Sequence, residues 1–362
     1  MNFGLSEDQT LLQETMRSFL ADQVPIERVR DLRTEDCPGD RALWTQLAEL
    51  GATGILIPEA NGGSDLSLLD AVVVSHALGY AVTPSAFLSS SVLAPLALRA
   101  LPESQSSDWL AGIGTGELVF GVALTELFSV RENAGIRLEN GSLSGKSMMA
   151  IDLCKADFFI VAINQETLAV VRHDAPGLEV NRLVTTDATR CTSELLLEQV
   201  VPEALIENAG PTISRMLQAG RIALSADTHG AAEAMIDQSV AYAQQRKQFG
   251  RPIGSFQAVK HMCAEMIADL EPARSLLWYS AHSFDAMPEE APLMSCHALA
   301  HISEISRTIA SVATQVHGGI GWTDDQNLHF WFKRIGMNRH LLGGPEALRA
   351  EAAELQGLAQ AS

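Results

Sequence analysis

The segment SRMLQAGRIALSADTHGAAEAMIDQSVAYAQQR, residues 214–246, has helical periodicity over more residues than an ordinary globular helix contains. Its many Ala and Gly residues would let neighbouring helices approach closely. Long helical patterns occupy the chain from about residue 208 to its end. We therefore predict a C-terminal helical bundle over residues 208–362.

The first part of the chain also has helical patterns. Ser6 followed by Gln9 is a capping-box signature, and apolar residues then recur at helical spacing. Similar patterns follow at about 40–50, 65–82 and 87–101, separated by turns that contain Gly and Pro. These patterns predict an N-terminal α-helical domain over residues 1–116.

The pattern changes at about residue 117. The runs LVFGVALTE, DFFIVAI, ETLAVVR and SELLLEQVV are short and apolar or alternating, and turn signals such as Asn140-Gly141 divide them. They predict a small middle β domain over residues 117–207. The fold class expected from this order is α+β and mostly α.

Composition excludes several classes of function. The 362 residues include 25 Lys and Arg against 44 Asp and Glu, a formal net charge of -19, which disfavours a nucleic-acid partner. The first residues do not read as a secretion signal, and no apolar run reaches membrane-spanning length. We expect a soluble cytoplasmic protein without membrane association. The five cysteines, an odd number spread along the chain, predict reduced thiols and no metal site.

Three segments together resemble the acyl-CoA dehydrogenase family, and the resemblance covers nearly the whole chain. They are LAELGATGILIPEANGGSD (47–65), RKQFGRPIGSFQAVKHMCAEM (246–266) and QVHGGIGWTDDQNLHFWFKR (315–334). The resemblance implies a C-terminal four-helix bundle, assembly as dimers or tetramers, and FAD bound across a subunit boundary. It also implies that a carboxylate removes the α proton of an acyl-CoA thioester while flavin N5 takes the β hydride, with an electron-transfer flavoprotein as electron acceptor.

Two motifs match the half of the family's site that grips the pyrophosphate and adenosine of a neighbour's FAD. In the first, the Arg246 guanidinium would make a charge-assisted contact with the pyrophosphate. In the second, glycines would let the backbone approach the cofactor. The alternative is that Arg246 pairs with a surface acid and that Gly318-Gly319 ends a helix. The matching residues are Arg246, Gln248, Phe249 and Gln257 in the first motif and Gln315, His317, Gly318 and Gly319 in the second.

The half that holds the flavin ring in this family departs from the pattern. Thr125-Glu126 match the family's Thr-Glu pair, but the Gly-Ser-Asp that usually follows is absent. In register, Met149 stands for the usual Trp and Ile151 for the usual hydroxyl residue. Ile151 cannot donate a hydrogen bond to the flavin.

The family's catalytic Glu is absent from both of its usual positions, which Gly220 and Leu342 occupy here. Asp227 is a weak substitute, because two helical turns, about 10 Å, separate it from Gly220. Glu346 is another, although we expect an acid in the first turn of the last helix to stabilise that helix instead. His229 and His317 have suitable chemistry, but a lone helical His is more often structural. The identity of a catalytic base is left open.

Residues that would serve a neighbour's flavin are kept, and those that would serve the chain's own flavin are altered. The resulting hypothesis is a partner subunit of a heteromeric FAD-dependent acyl-CoA dehydrogenase, resembling the heterotetrameric bacterial enzymes of steroid side-chain and bulky acyl-CoA catabolism. One alternative is a homo-oligomeric flavoenzyme with an unusual base, whether dehydrogenase, oxidase or monooxygenase. The other is a non-catalytic binding protein of the same fold.

Overall fold

The computed structural model describes residues 4–33, 40–128 and 132–358. The chain forms two units, each made of separate segments. One contains the chain up to Val29, the segment Val72–Thr83 and the chain from Arg221; the other contains Arg30–Ala71 and Pro84–Gly220. The three-domain division at 1–116, 117–207 and 208–362 follows element type and stays a prediction.

The N-terminal helices begin with the predicted capping box. The Ser6 hydroxyl accepts from the Gln9 amide N–H, and the Gln9 side chain accepts from the Ser6 N–H. A buried π-helix, Phe87–Leu93, leads directly into the α-helix that begins at Ala94. The helices are α1 (Glu7–Gln23), α2 (Ile26–Leu32), α3 (Arg41–Glu49), α4 (Leu68–Tyr80), α5 (Ala94–Leu98) and α6 (Glu103–Gly114).

An eight-stranded sheet follows these helices, in the order β6-β7-β3-β1-β4-β5-β8 with β2 paired to β3. The β1–β4 pair is parallel and the other pairs are antiparallel. Asn140 and Gly141 make the predicted turn between β2 and β3, with φ of 51° and 79°. The strands are β1 (Phe120–Ala123), β2 (Gly135–Glu139), β3 (Ser142–Ile151), β4 (Phe158–Asn164), β5 (Thr167–Arg172), β6 (Leu178–Arg182), β7 (Thr192–Val200) and β8 (Ala204–Glu207).

Long helices form the last part of the chain, as its periodicity predicted. The longest spans 36 residues, and a two-stranded hairpin joins it to the next. No helix in the described ranges combines the length and apolar content needed to cross a bilayer. The elements are α7 (Gly210–Gln245), β9 (Lys247–Gln248), β10 (Arg251–Pro252), α8 (Gln257–Ala286), α9 (Ala291–His317), α10 (His329–Asn338) and α11 (Pro345–Leu355). The predicted α+β, mostly α fold is confirmed.

The prediction of reduced thiols is wrong for one pair of cysteines. Cys154 and Cys191 form a disulfide, with their Cα atoms 6.7 Å apart. They are 37 residues apart in sequence, but the pairing of β3 with β7 brings them together. Cys263 and Cys296 are free thiols, and Cys37 lies outside the described residues.

Candidate functional site

The first cofactor motif forms the turn that ends α7 and the hairpin after it. Arg246 follows the last residue of α7, and its exposed guanidinium makes no hydrogen bond or ion pair with another described residue. Phe249 lies at the hairpin tip and is 93% exposed, with φ of 51°. No acid among the described residues pairs with Arg246, so the alternative that a surface acid neutralises it is not supported.

The hairpin is held by aromatic contacts rather than by its short strands alone. The Arg251 guanidinium lies 4.1 Å from the centre of the Phe256 ring, and Phe249 meets the same ring edge-on at 6.1 Å. Gln257 begins α8 and is exposed, with its side chain 2.9 Å from His261 Nε2. These contacts fix the backbone that presents the first motif.

The second motif lies at the C-terminal end of α9. Gly318 ends this helix with φ of 66° and ψ of -145°, a conformation that favours glycine. A Cβ placed on Gly318 or Gly319 would meet nothing within 4 Å, so both backbone segments are open to a ligand. Gln315 is exposed beside them. Gly318 ends a helix, as the alternative reading held, and it also leaves an open backbone surface.

His317 links the two motifs. Its Nδ1 lies 2.8 Å from the Ala313 carbonyl oxygen, so this nitrogen carries the proton and donates. The other ring nitrogen, Nε2, is buried and has no partner among the described residues. Tyr242, one turn before Arg246, stacks on the ring at 4.5 Å, and burial lowers the pKa of His317. The two motifs are therefore adjacent.

The candidate ring-holding residues are engaged within the sheet. The Thr125 hydroxyl donates to the Met149 carbonyl oxygen over 3.3 Å. The Glu126 carboxylate accepts from the Met148 N–H over 2.8 Å and from the Ser147 hydroxyl. These bonds brace the irregular part of β3, where the pairing with β7 shifts register between Ser147 and Ala150.

The residues in register with the family's ring contacts offer no side-chain donor. Met149 has φ of 54°, which is unusual for a residue with a long side chain. Ile151 is buried and pairs with Val122 and Thr192 across the sheet. The Thr125 hydroxyl and the Glu126 carboxylate are thus used to hold this strand end.

At the two usual positions of the catalytic Glu, the structure has buried apolar residues. Gly220 lies on α7, and Leu342 is 2% exposed with φ of 55°. Arg221 Nε donates to the Leu342 carbonyl oxygen over 3.1 Å, and its two Nη atoms each lie 2.8 Å from the Glu351 carboxylate. A bidentate ion pair between buried Arg221 and partly exposed Glu351 therefore holds the late loop. Nothing in the sequence pattern marks Glu351 as the partner, because 130 residues separate it from Arg221.

Asp227 is part of another ion pair, and this one is buried. Arg334 Nη1 lies 3.1 Å from one carboxylate oxygen, and Asn338 Nδ2 donates to the other over 2.6 Å. The same guanidinium donates to the Thr83 carbonyl oxygen over 3.1 Å. A carboxylate neutralised and hydrogen-bonded in this way is a poor proton acceptor.

Glu346 lies in the first turn of α11, as predicted, and points to solvent. Arg339 Nη2 donates to its carboxylate over 2.8 Å. The backbone N–H of Glu346 lowers the pKa of its own carboxyl most, and the hydrogen bond from Arg339 lowers it further. A carboxylate in this position interacts favourably with the positive end of the helix dipole, so Glu346 is placed to stabilise α11.

His229 belongs to a buried cluster with the ligand types of a metal site. Its Nδ1 lies 3.1 Å from His76 Nε2, which lies 3.2 Å from the Glu233 carboxylate. Arg17 and Arg274 also bind that carboxylate, at 2.5 Å and 3.2 Å. Arg17 and Arg274 therefore already engage the carboxylate that a metal cation would need, which disfavours metal binding. Burial lowers the pKa of His229 to about 3, so the ring is neutral at physiological pH.

Comparison with known protein families gives two matches. The acyl-CoA dehydrogenase C-terminal domain matches residues 209–355, and the acyl-CoA dehydrogenase N-terminal domain matches residues 6–117. Acyl-CoA dehydrogenase IpdE2 of Mycobacterium tuberculosis is 31% identical over 353 residues, which cover 96% of this chain and 98% of that protein. The chain belongs to the acyl-CoA dehydrogenase family.

Solved structures of two complexes are similar to this acyl-CoA dehydrogenase family member. A chain of the Tcur3481-Tcur3483 steroid ACAD G363A variant has a TM-score of 0.86 and 28% identity, covering 97% of this chain and 98% of its own. A chain of the ChsE4-ChsE5 complex from Mycobacterium tuberculosis has a TM-score of 0.89 and 25% identity, with both chains fully covered. The similarity therefore extends along the chain in both cases.

Proposed function

We propose that this chain is the partner subunit of a heteromeric, FAD-dependent acyl-CoA dehydrogenase. In this assignment it supplies the surface that binds the cofactor's pyrophosphate and adenosine, and the other subunit supplies the flavin-ring site and the catalytic base. The observation that supports it best is a contrast between site positions. Arg246 is exposed and has no acid partner among the described residues, whereas the residues at the remaining positions are engaged or apolar.

The proposed cofactor surface has the chemistry of a phosphate site. Arg246 offers a planar set of donors that can bind two phosphate oxygens, and the open backbone at Gly318 and Gly319 permits close approach. FAD would supply hydride-accepting chemistry at its flavin ring when bound. This chain's residues would bind and orient the other end.

The absence of a base supports a divided site. Gly220 and Leu342 cannot ionise, and Asp227 and Glu346 are held by Arg334 and Arg339. Removal of an α proton requires a basic group within hydrogen-bond reach of it. We infer that the other subunit carries this group.

The similar proteins suggest the class of substrate. One of the complexes is described as a steroid ACAD, and IpdE2 is described as an acyl-CoA dehydrogenase. We propose a bulky acyl-CoA thioester, such as a steroid side-chain ester, as substrate and an electron-transfer flavoprotein as electron acceptor. A cytoplasmic location agrees with both.

Co-purification tests the divided site. The chain would be purified alone and together with an acyl-CoA dehydrogenase family chain encoded beside it, and absorbance would give the ratio of FAD to protein. We expect flavin only in the complex, at about one FAD per pair of chains, and bleaching on addition of an acyl-CoA.

Other results would select the alternatives. A chain that is yellow by itself and bleaches with an acyl-CoA would show a homo-oligomeric flavoenzyme with its own base. A chain that stays colourless with every co-expressed partner would favour a non-catalytic binding protein. Arg246→Ala in the complex, with Arg307→Ala as an exposed arginine control on α9, separates loss of cofactor binding from a general effect of charge.

A further inference from the structure

The disulfide between Cys154 and Cys191 joins two segments that the sheet already holds together. Cys154 lies in the turn after β3, and Cys191 directly precedes β7. Ile151 pairs with Thr192 across the two strands, and the Asp152 N–H donates to the Cys191 carbonyl oxygen over 2.9 Å. Because these backbone bonds do not need the disulfide, the two thiols would stay adjacent after reduction.

The two sulfur atoms differ in access. Cys154 is half-buried, whereas Cys191 is only 4% exposed. An attacking thiolate can therefore reach the Cys154 sulfur, and Cys191 then leaves as the thiolate. The Ser193 hydroxyl lies 3.4 Å from the Cys154 sulfur and 4.0 Å from the Cys191 sulfur, where it can donate to that thiolate.

The disulfide adjoins an irregular strand end. Met149 and Asp152 both have left-handed backbone conformations, with φ of 54° and 59°. Ser89 in the π-helix donates to the Asp152 carboxylate over 2.7 Å, and Thr125 donates to the Met149 carbonyl oxygen. Residues 148–155 are thus held by strand pairing at Ala150 and Ile151, by these side-chain bonds and by the covalent link.

We propose that Cys154 and Cys191 are a reversible thiol–disulfide site that sets the order of residues 148–155. Oxidation by a small disulfide such as oxidised glutathione would proceed in two exchange steps. The Cys154 thiolate first displaces one glutathione thiolate and forms a mixed disulfide. The Cys191 thiolate then attacks the Cys154 sulfur and displaces the second. The protein loses two electrons and two protons, and the oxidant becomes two glutathione thiols.

The experiment equilibrates the folded full chain in glutathione buffers of increasing oxidant fraction, traps thiols with an alkylating agent and identifies peptides by mass. We expect one reversible transition. At low oxidant fraction both cysteines are alkylated, and at high oxidant fraction the peptides carry a Cys154–Cys191 disulfide, whose mass is two hydrogens below that of the two free thiols. Cys37→Ser removes the cysteine outside the described residues, and Cys296→Ser controls for a buried thiol not in the pair. Both variants should keep the transition, and Cys154→Ser should abolish it.

Two results would overturn the proposal. One is a link that never forms in the folded protein. The other is a link that resists excess reductant until the protein is unfolded, which would make it a permanent structural bond. Hydrogen exchange of residues 148–155 gives a second readout: we expect faster exchange in the reduced form, and equal exchange in both forms would refute control of this segment.

Discussion

Arg246 and Arg334 lie on the C-terminal helices or directly after them, yet their surroundings are opposite. Arg246 is exposed and has no acid partner among the described residues. Arg334 is 2% exposed and binds Asp227 and the Thr83 carbonyl oxygen. The difference shows that residue type alone does not separate a ligand-binding arginine from a structural one. The neighbouring groups decide whether the guanidinium charge is already neutralised within the protein.

The largest expected effect is on stability, from Arg334→Met. The substitution leaves the Asp227 carboxylate buried without its guanidinium, and removing one partner of a buried pair costs about 3–5 kcal/mol. Urea unfolding would measure it. The double variant Arg334→Met/Asp227→Leu should recover part of the loss, and a single-variant cost below about 1 kcal/mol would contradict the assigned role of this pair.

The second prediction concerns Arg246→Ala in the complex with the other subunit. Loss of a charge-assisted hydrogen bond to phosphate should weaken FAD binding about 10- to 100-fold. Stability should change by less than about 0.5 kcal/mol, because the side chain is exposed. Fluorescence titration of FAD and urea unfolding would test both, with Arg307→Ala as control. Equal FAD affinity in the two variants would remove Arg246 from the cofactor surface.

A third prediction uses the pH dependence of stability. The folded pKa of His229, about 3, lies below its ordinary 6.5, so the unfolded chain takes up a proton first as pH falls. Stability is therefore unaffected above pH 6.5 and is lost progressively below it, by roughly 2 kcal/mol at pH 5 for this residue. His229→Asn should flatten the change between pH 8 and 5 in urea unfolding.

The titratable neighbours of His229 also contribute to the change of stability with pH. Burial also lowers the pKa of His76, so part of the pH dependence should remain in His229→Asn. The pKa of Glu233 is lowered by its hydrogen bond to His76 and by Arg17 against the effect of burial, and stability from this carboxylate is lost only below its ordinary 4.5. An unchanged slope in His229→Asn between pH 8 and 5 would show that the ring is not held neutral by burial.

The smallest effect is expected from Glu346→Gln. The carboxylate points to solvent beside Arg339, away from any role as base. The substitution removes only an exposed ion pair, which contributes little. Turnover of the complex with an acyl-CoA should therefore stay within about twofold of the value for the unchanged protein. A loss of activity well beyond that, with normal FAD content, would instead identify Glu346 as a catalytic residue.

The sequence predicted those features that depend on local order. The capping box at Ser6, the Asn140-Gly141 turn and the long helical pattern before Arg246 each appear in the structure. It missed α2, α6 and several strands, including the ten-residue β3, since their patterns do not stand out against their neighbours. It also placed Glu346 correctly in the first turn of a helix.

Long-range pairing was decided only by the tertiary structure. The Arg221–Glu351 ion pair, the Asp227–Arg334 pair and the Cys154–Cys191 disulfide each join residues distant in sequence. Periodicity reports which face of an element is apolar, but it does not report which polar groups meet in the interior. The sequence by itself therefore determined the long helical segments, the order of helical and β segments, and the family resemblance. The fold decided which charged side chains are neutralised internally and which stay available to a ligand.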